Sequence, residues 1–168
     1  MTIFTEAQAR EILEKTVALS TADECTATLS GSVAGNIRFA LNNVSTSGIV
    51  SNAELAVQVA FGKRVGTASI NAFDDASLRS VVKRAEDLAR LAPENPEFVP
   101  AIGRQTYSPT GTHSAATAAI TPEYRAQVAA DSIAPCRSSG LVAAGFLEDS
   151  RSFTAVASDR YKSEIVTA

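Results

Sequence analysis

Among its 168 residues the chain has one histidine, His113, and two cysteines, Cys25 and Cys136, so the side chains that most often bind transition metals are scarce. A catalytic zinc centre takes about three protein ligands and keeps one position open. His113 sits in a Ser/Thr/Ala-rich stretch, and no spacing of cysteine or carboxylate around it has the form of a ligand set. A Ser-His-Asp triad built on His113 fails similarly, because the sequence has no Gly-x-Ser-x-Gly elbow. Cys136 follows Pro135 near an expected helix end, away from the positive helix start that favours a thiolate nucleophile, and reads as a structural thiol. The paired acids Asp74-Asp75 fit a helix start, and Glu148-Asp149 fit a hairpin turn. Gly31-Ser32-Val33-Ala34-Gly35 lacks the lysine and the following helix that a phosphate loop uses. The expected catalytic, metal and cofactor residues are therefore none, and no substrate-binding residue is marked.

Bulk properties exclude several classes. Net charge is −3, and the adjacent basic pairs are Lys63-Arg64 and Lys83-Arg84. That is no footprint for a phosphate backbone, so nucleic acid is not an expected partner. Hydrophobic content of 45% with 20% charge is ordinary for a globular protein with a full core. No run reaches the roughly 18 apolar residues that a membrane helix needs. The start, Met1 to Glu6, lacks the basic and apolar regions of a signal peptide. Without a CxxC spacing, Cys25 and Cys136 read as reduced thiols of a cytoplasmic protein.

The elements that would position any site follow from periodicity. Thr5-Glu6-Ala7-Gln8 has the form of a capping box, and Ala9, Ile12, Leu13, Thr16 and Val17 continue it as an amphipathic helix to about Leu19. Cys25, Ala27 and Leu29 alternate with polar residues as a half-buried strand, and Gly31 and Gly35 bound an expected turn before Ile37, Phe39 and Leu41. Asn42-Asn43 and Ser47-Gly48 have turn or bulge chemistry. A short strand is expected near Ser45 to Val50. Ser51-Asn52 then lead into a strand over 53–61, whose hairpin partner runs from about Val65 to Asn71. Asp74 is an N-cap, and Leu78, Val81, Val82, Ala85, Leu88, Ala89 and Ala92 form one helical stripe that Pro93 ends. Thr121-Pro122-Glu123 starts a further helix toward Ile133, which Pro135 should kink or stop. Leu141 to Leu147 and Phe153 to Ala157 read as two strands of a hairpin.

Short loops between consecutive strands favour antiparallel pairing. The expected fold is α+β: an antiparallel sheet with two helices packed on one face, followed by an incomplete second α/β unit. The expected organisation is an N-terminal α+β domain over 1–92, an extended linker over 93–120, and the truncated start of a middle domain over 121–168.

Several segments together resemble the N-terminal region of the TldD/PmbA metallopeptidase family. They are the stretch Asn36 to Gly48, the hairpin Val59-Ala60-Phe61-Gly62-Lys63-Arg64-Val65-Gly66, the helix exit Leu91-Ala92-Pro93-Glu94-Asn95-Pro96, and Ala143-Ala144-Gly145-Phe146-Leu147. The resemblance covers most of Thr5 to about Ser158, and the tail from Asp159 to Ala168 departs from it. It implies a cytoplasmic two-subunit system, once called modulators of DNA gyrase. In it a TldD-type subunit trims unfolded or short peptides with zinc held by a HExxxH helix and a downstream cysteine, beside a PmbA-type partner that lacks those ligands. The part resembled is the non-catalytic N-terminal domain, which helps to build the assembly and its chamber. With a single histidine, these 168 residues hold no HExxxH. No zinc ligand is carried over, no cofactor is expected in this chain, and zinc is implied for the full-length family alone. The expected partner is a second copy or a paralogous family subunit, with peptide as a further possibility. The alternative is a stand-alone peptide- or protein-binding module that uses an exposed sheet edge.

Overall fold

The computed structural model describes residues 4–101, 108 and 111–158. The elements, in chain order, are α1 (Glu6–Ala18), β1 (Glu24–Ala40), β2 (Asn43–Phe61), β3 (Arg64–Ile70), α2 (Asp75–Leu91), α3 (Ala115–Ala118), α4 (Pro122–Ser138) and β4 (Gly145–Ser158). The strands form one antiparallel sheet in the order β3-β2-β1-β4, and the fold class is α+β. The described residues fall into two compact units. One holds 32–51 and 112–152, and the other holds the rest.

In the larger unit, local chemistry and packing agree. The capping box at Thr5 forms: its hydroxyl accepts from the Gln8 N–H at 3.2 Å, and the Gln8 side chain accepts from the Thr5 N–H at 2.9 Å. Asp74 caps α2 by accepting from the N–H groups of Ala76 and Ser77, both at 3.0 Å. The Ser77 hydroxyl and N–H hold the Asp74 carboxyl below its ordinary pKa. Leu13 of α1 and Leu78, Val81 and Ala85 of α2 bury against Cys25, Ala27 and Leu29 of β1 and Leu55, Val57 and Val59 of β2. Complete burial of a leucine or valine contributes about 1.5–3 kcal/mol, so this cluster is the main source of stability in the unit. β3 runs antiparallel to β2 from Leu55 opposite Ile70 to Phe61 opposite Arg64. Gly66 of β3 lies so close to α2 that a Cβ there would overlap backbone atoms of Ala85 and Ala89. The helix sits on the strand at a distance only glycine allows.

The smaller unit has its own core. Ile37 and Phe39 of β1 bury with Ala129 and Ile133 of α4 and with Ala143, and Cys136 and Leu147 pack against them.

The structure corrects the expected segmentation in four places. β1 passes through Gly31 and Gly35 without a turn, and β2 passes through Ser47-Gly48 and Ser51-Asn52 as one strand. The expected hairpin over 141–157 is instead the single strand β4, which runs through Glu148 to Arg151, with Leu141 to Ala144 outside it. Polar residues in mid-strand mimicked turns. Finally, α4 continues past Pro135 to Ser138, because its last turn closes through the carbonyls of the proline and of the residue after it: Ser139 N–H donates to Pro135 O at 3.2 Å and Leu141 N–H to Cys136 O at 2.8 Å.

Candidate functional site

The smaller unit contains a recess of about 360 Å³ between its sheet face and the α3–α4 junction. Gly35 of β1, Ile49 of β2, and Asp149 and Arg151 of β4 form the sheet side, and Thr121 and Arg125 at the start of α4 face them. The volume lies at the small end of the range for ligand sites. The helix start is built as the sequence predicts: the Thr121 hydroxyl accepts from the Tyr124 N–H at 3.2 Å, and Pro122 follows at the first helical position.

Arg125 is the central residue. It is 2% exposed, and its Nη1 donates to Asp149 Oδ1 at 2.5 Å. Its Nε is buried without a hydrogen-bond partner among the described residues. Space for the guanidinium exists because Gly35 has no side chain, since a Cβ there would overlap Cζ and both Nη atoms. Arg151, also on the recess, donates from Nη1 to the Ala118 carbonyl at 3.2 Å. Glu123, in the first turn of α4, is held below its ordinary pKa by its own backbone N–H and the Thr121 hydroxyl, with Arg125 adding to the effect.

Ile49 joins this recess to the exposed part of β2. Every residue from Asn43 to Ser51 is exposed, and none is charged. β3 pairs with β2 only over Leu55–Phe61, so the described residues place no strand on that side of Asn43–Ser51. At the β1–β2 turn, Leu41 and Asn42 have φ of 50° and 60°. Asn42 fixes the turn: its Nδ2 donates to Leu141 O at 3.0 Å, and its Oδ1 accepts from Ala143 N–H at 2.7 Å. Leu41, Leu141 and Val142 are thereby held exposed.

The residues weighed in sequence for catalysis are scattered. His113 is exposed outside any helix or strand, Cys25 is fully buried in the core of the larger unit, and Cys136 packs against the core of the smaller one. Among the described residues, no three His, Cys, Asp or Glu side chains come together as a metal site. The donors among the described residues do not form a zinc ligand set. Asp74-Asp75 open α2 as expected. Asp149, expected in a turn, instead pairs with Arg125 from mid-strand. Nothing local in the sequence marks that pair, whose members are 24 residues apart. No described helix is long and apolar enough to cross a membrane.

Residues 29–89 match the family model PmbA/TldA metallopeptidase domain 1. No curated protein matches the chain. Similar solved structures include TldE from Thermococcus kodakarensis, at 16% identity and a TM-score of 0.80, over 95% of this chain and 36% of that one. Another, described as a modulator of a DNA gyrase from Thermotoga maritima, is 11% identical with a TM-score of 0.77, over 95% of this chain and 37% of that one. A third, described as a modulator of DNA gyrase from Bacteroides thetaiotaomicron, is 13% identical with a TM-score of 0.72, over 98% of this chain and 39% of that one. The chain thus spans little more than a third of the length of these structures, and at such identities they establish the fold alone. Residues 29–89 are thus similar to the first domain of the TldD/PmbA metallopeptidases, and the chain shares the fold of these solved structures.

Proposed function

We propose that this chain serves a TldD/PmbA-type peptidase system as a non-catalytic component, with proteolysis of short or unfolded peptides carried out by a subunit that bears the HExxxH zinc site. The observation that carries this reading is the match of residues 29–89 to the first metallopeptidase domain in a sequence with one histidine. On this reading the chain works in the cytoplasm, in association with a second copy or a paralogous subunit. A direct assay incubates the purified chain with zinc and a mixture of unfolded peptides and follows products by mass spectrometry. No cleavage is expected from the chain alone. Cleavage should appear on adding a HExxxH-bearing family subunit, with the two proteins migrating together. Zinc-dependent cleavage by the isolated chain would overturn the proposal.

A second reading is favoured by one observation. The uncharged, exposed run of β2 from Asn43 to Ser51 lacks the lysines and prolines that usually protect a sheet edge. Such an edge can accept an extended segment through main-chain hydrogen bonds. Lysine substitution at Val44 and Val50 would abolish a partner's binding if the edge is the docking element, and would leave it intact if the helices are.

A further inference from the structure

We propose that the recess at the start of α4 is a binding site for a carboxylate group. Three features of the site converge on that chemistry, and each has a different physical origin.

The first is Arg125. A guanidinium has five N–H donors, and this one, 2% exposed, makes a single hydrogen bond among the described residues, to Asp149. Nε has no partner at all. Buried donors ordinarily find partners, so an under-satisfied buried guanidinium on a recess wall is a place where an acceptor gains more than in water. The second is Arg151, whose one hydrogen bond goes to a neutral carbonyl and which has no ion-pair partner among the described residues. Arg125 and Asp149 cancel, so Arg151 gives the residues that line the recess a net charge of one positive unit. The third is the start of α4, a helix of 17 residues, whose dipole favours an anion near Thr121.

The same wall sets limits on the ligand. Asp149 lines the recess and Glu123 lies in the first turn of α4, and the repulsion they exert grows in proportion to a ligand's negative charge. Apolar Val33 and Ile49 also line the site. A single carboxylate on a small apolar body matches these demands better than phosphate. Its source is either a free small carboxylate or the end of a peptide chain. The inference does not depend on the peptidase reading, since no cleavage enters its test.

The test titrates the full chain by calorimetry with four probes: acetate, phosphate, N-acetyl-Ala-Ala with a free carboxyl, and the same dipeptide as its C-terminal amide. The free acid is expected to bind at least tenfold more tightly than the amide. Arg151→Gln, a change on a partly exposed side chain, is expected to weaken the acid at least tenfold while thermal melting confirms the fold. If the acid also exceeds acetate by tenfold, a chain terminus is the source, and if acetate matches it, a free carboxylate is. Equal binding of acid and amide, tighter binding of phosphate, no binding of any probe at 10 mM, or an unchanged affinity in a folded Arg151→Gln would each overturn the proposal.

Discussion

Arg125 Nη1 donates to Asp149 Oδ1 at 2.5 Å, joining the first turns of α4 to the middle of β4 by a pair whose side chains are 3% and 17% exposed. An ion pair this buried is weak evidence of net stabilisation, because both charges lose their hydration. Breaking it from one side is a different matter. Asp149→Ala leaves the Arg125 charge enclosed with no acceptor, and the expected loss is about 3–5 kcal/mol in urea unfolding. Arg125→Met with Asp149→Leu, which removes both charges, is expected to lose far less. Equal losses in the single and double variants would show that the charge is not the cause.

Gly35 is the counterpart of that pair on β1. A Cβ at this position would overlap the guanidinium of Arg125, which cannot swing away without abandoning Asp149. Gly35→Ala is therefore expected to destabilise by about 1–3 kcal/mol, the usual range for overpacking. The same substitution in an Arg125→Ala background should cost nothing further, a coupling that a double-mutant cycle reads directly. Gly48, with no atom within 4 Å of an added Cβ, is the control: Gly48→Ala should stay within about 0.5 kcal/mol of the parent.

Pro135 lies on the exposed side of α4 and removes one hydrogen bond from the helix interior. The helix tolerates it because Ile133 is buried just before it and the last turn is closed by Ser139 and Leu141. Pro135→Ala should restore the bond and raise the stability of the smaller unit by up to about 3 kcal/mol. Amide hydrogen exchange across α4 measures it, and no added protection between Asp131 and Ser138 would count against the account.

These residues also explain what the sequence reveals and what it hides. The hairpin of β2 and β3, the capping box at Thr5, the Asp74 cap and the Thr121-Pro122 start are all local signals, and each forms as expected. Gly31, Gly35 and the run Glu148 to Arg151 carry the same kind of local signal and are misleading. In the structure Gly35 makes room for a side chain 90 positions later, and Asp149 answers a charge on another element. A glycine that permits a close approach and a glycine that permits a turn look alike until the neighbour is known. The first half of β2 is hidden in the sequence for a related reason: with Asn43 to Ser51 exposed throughout, no burial imposes alternation on its side chains.

Glu86 offers a prediction in pH. It sits on α2 at 7% exposure, and its Oε1 accepts from the Thr21 N–H at 2.7 Å, with Arg90 Nη2 donating to Oε2 at 3.1 Å. Burial is the largest single influence and pushes the carboxyl up. The Thr21 N–H and hydroxyl, followed by Arg90, together outweigh it and hold the group below its ordinary value of 4.5. A folded-state value below the unfolded one means that the unfolded chain takes up the proton first. The stabilisation is therefore complete above about pH 4.5 and is lost as pH falls through the folded value. Glu86→Gln should lower the urea midpoint at pH 7, and the gap from the parent should narrow as pH falls from 4.5 through the folded value. A gap that stays constant over that range would mean that Glu86 contributes by packing and neutral hydrogen bonds, with its charge playing no part.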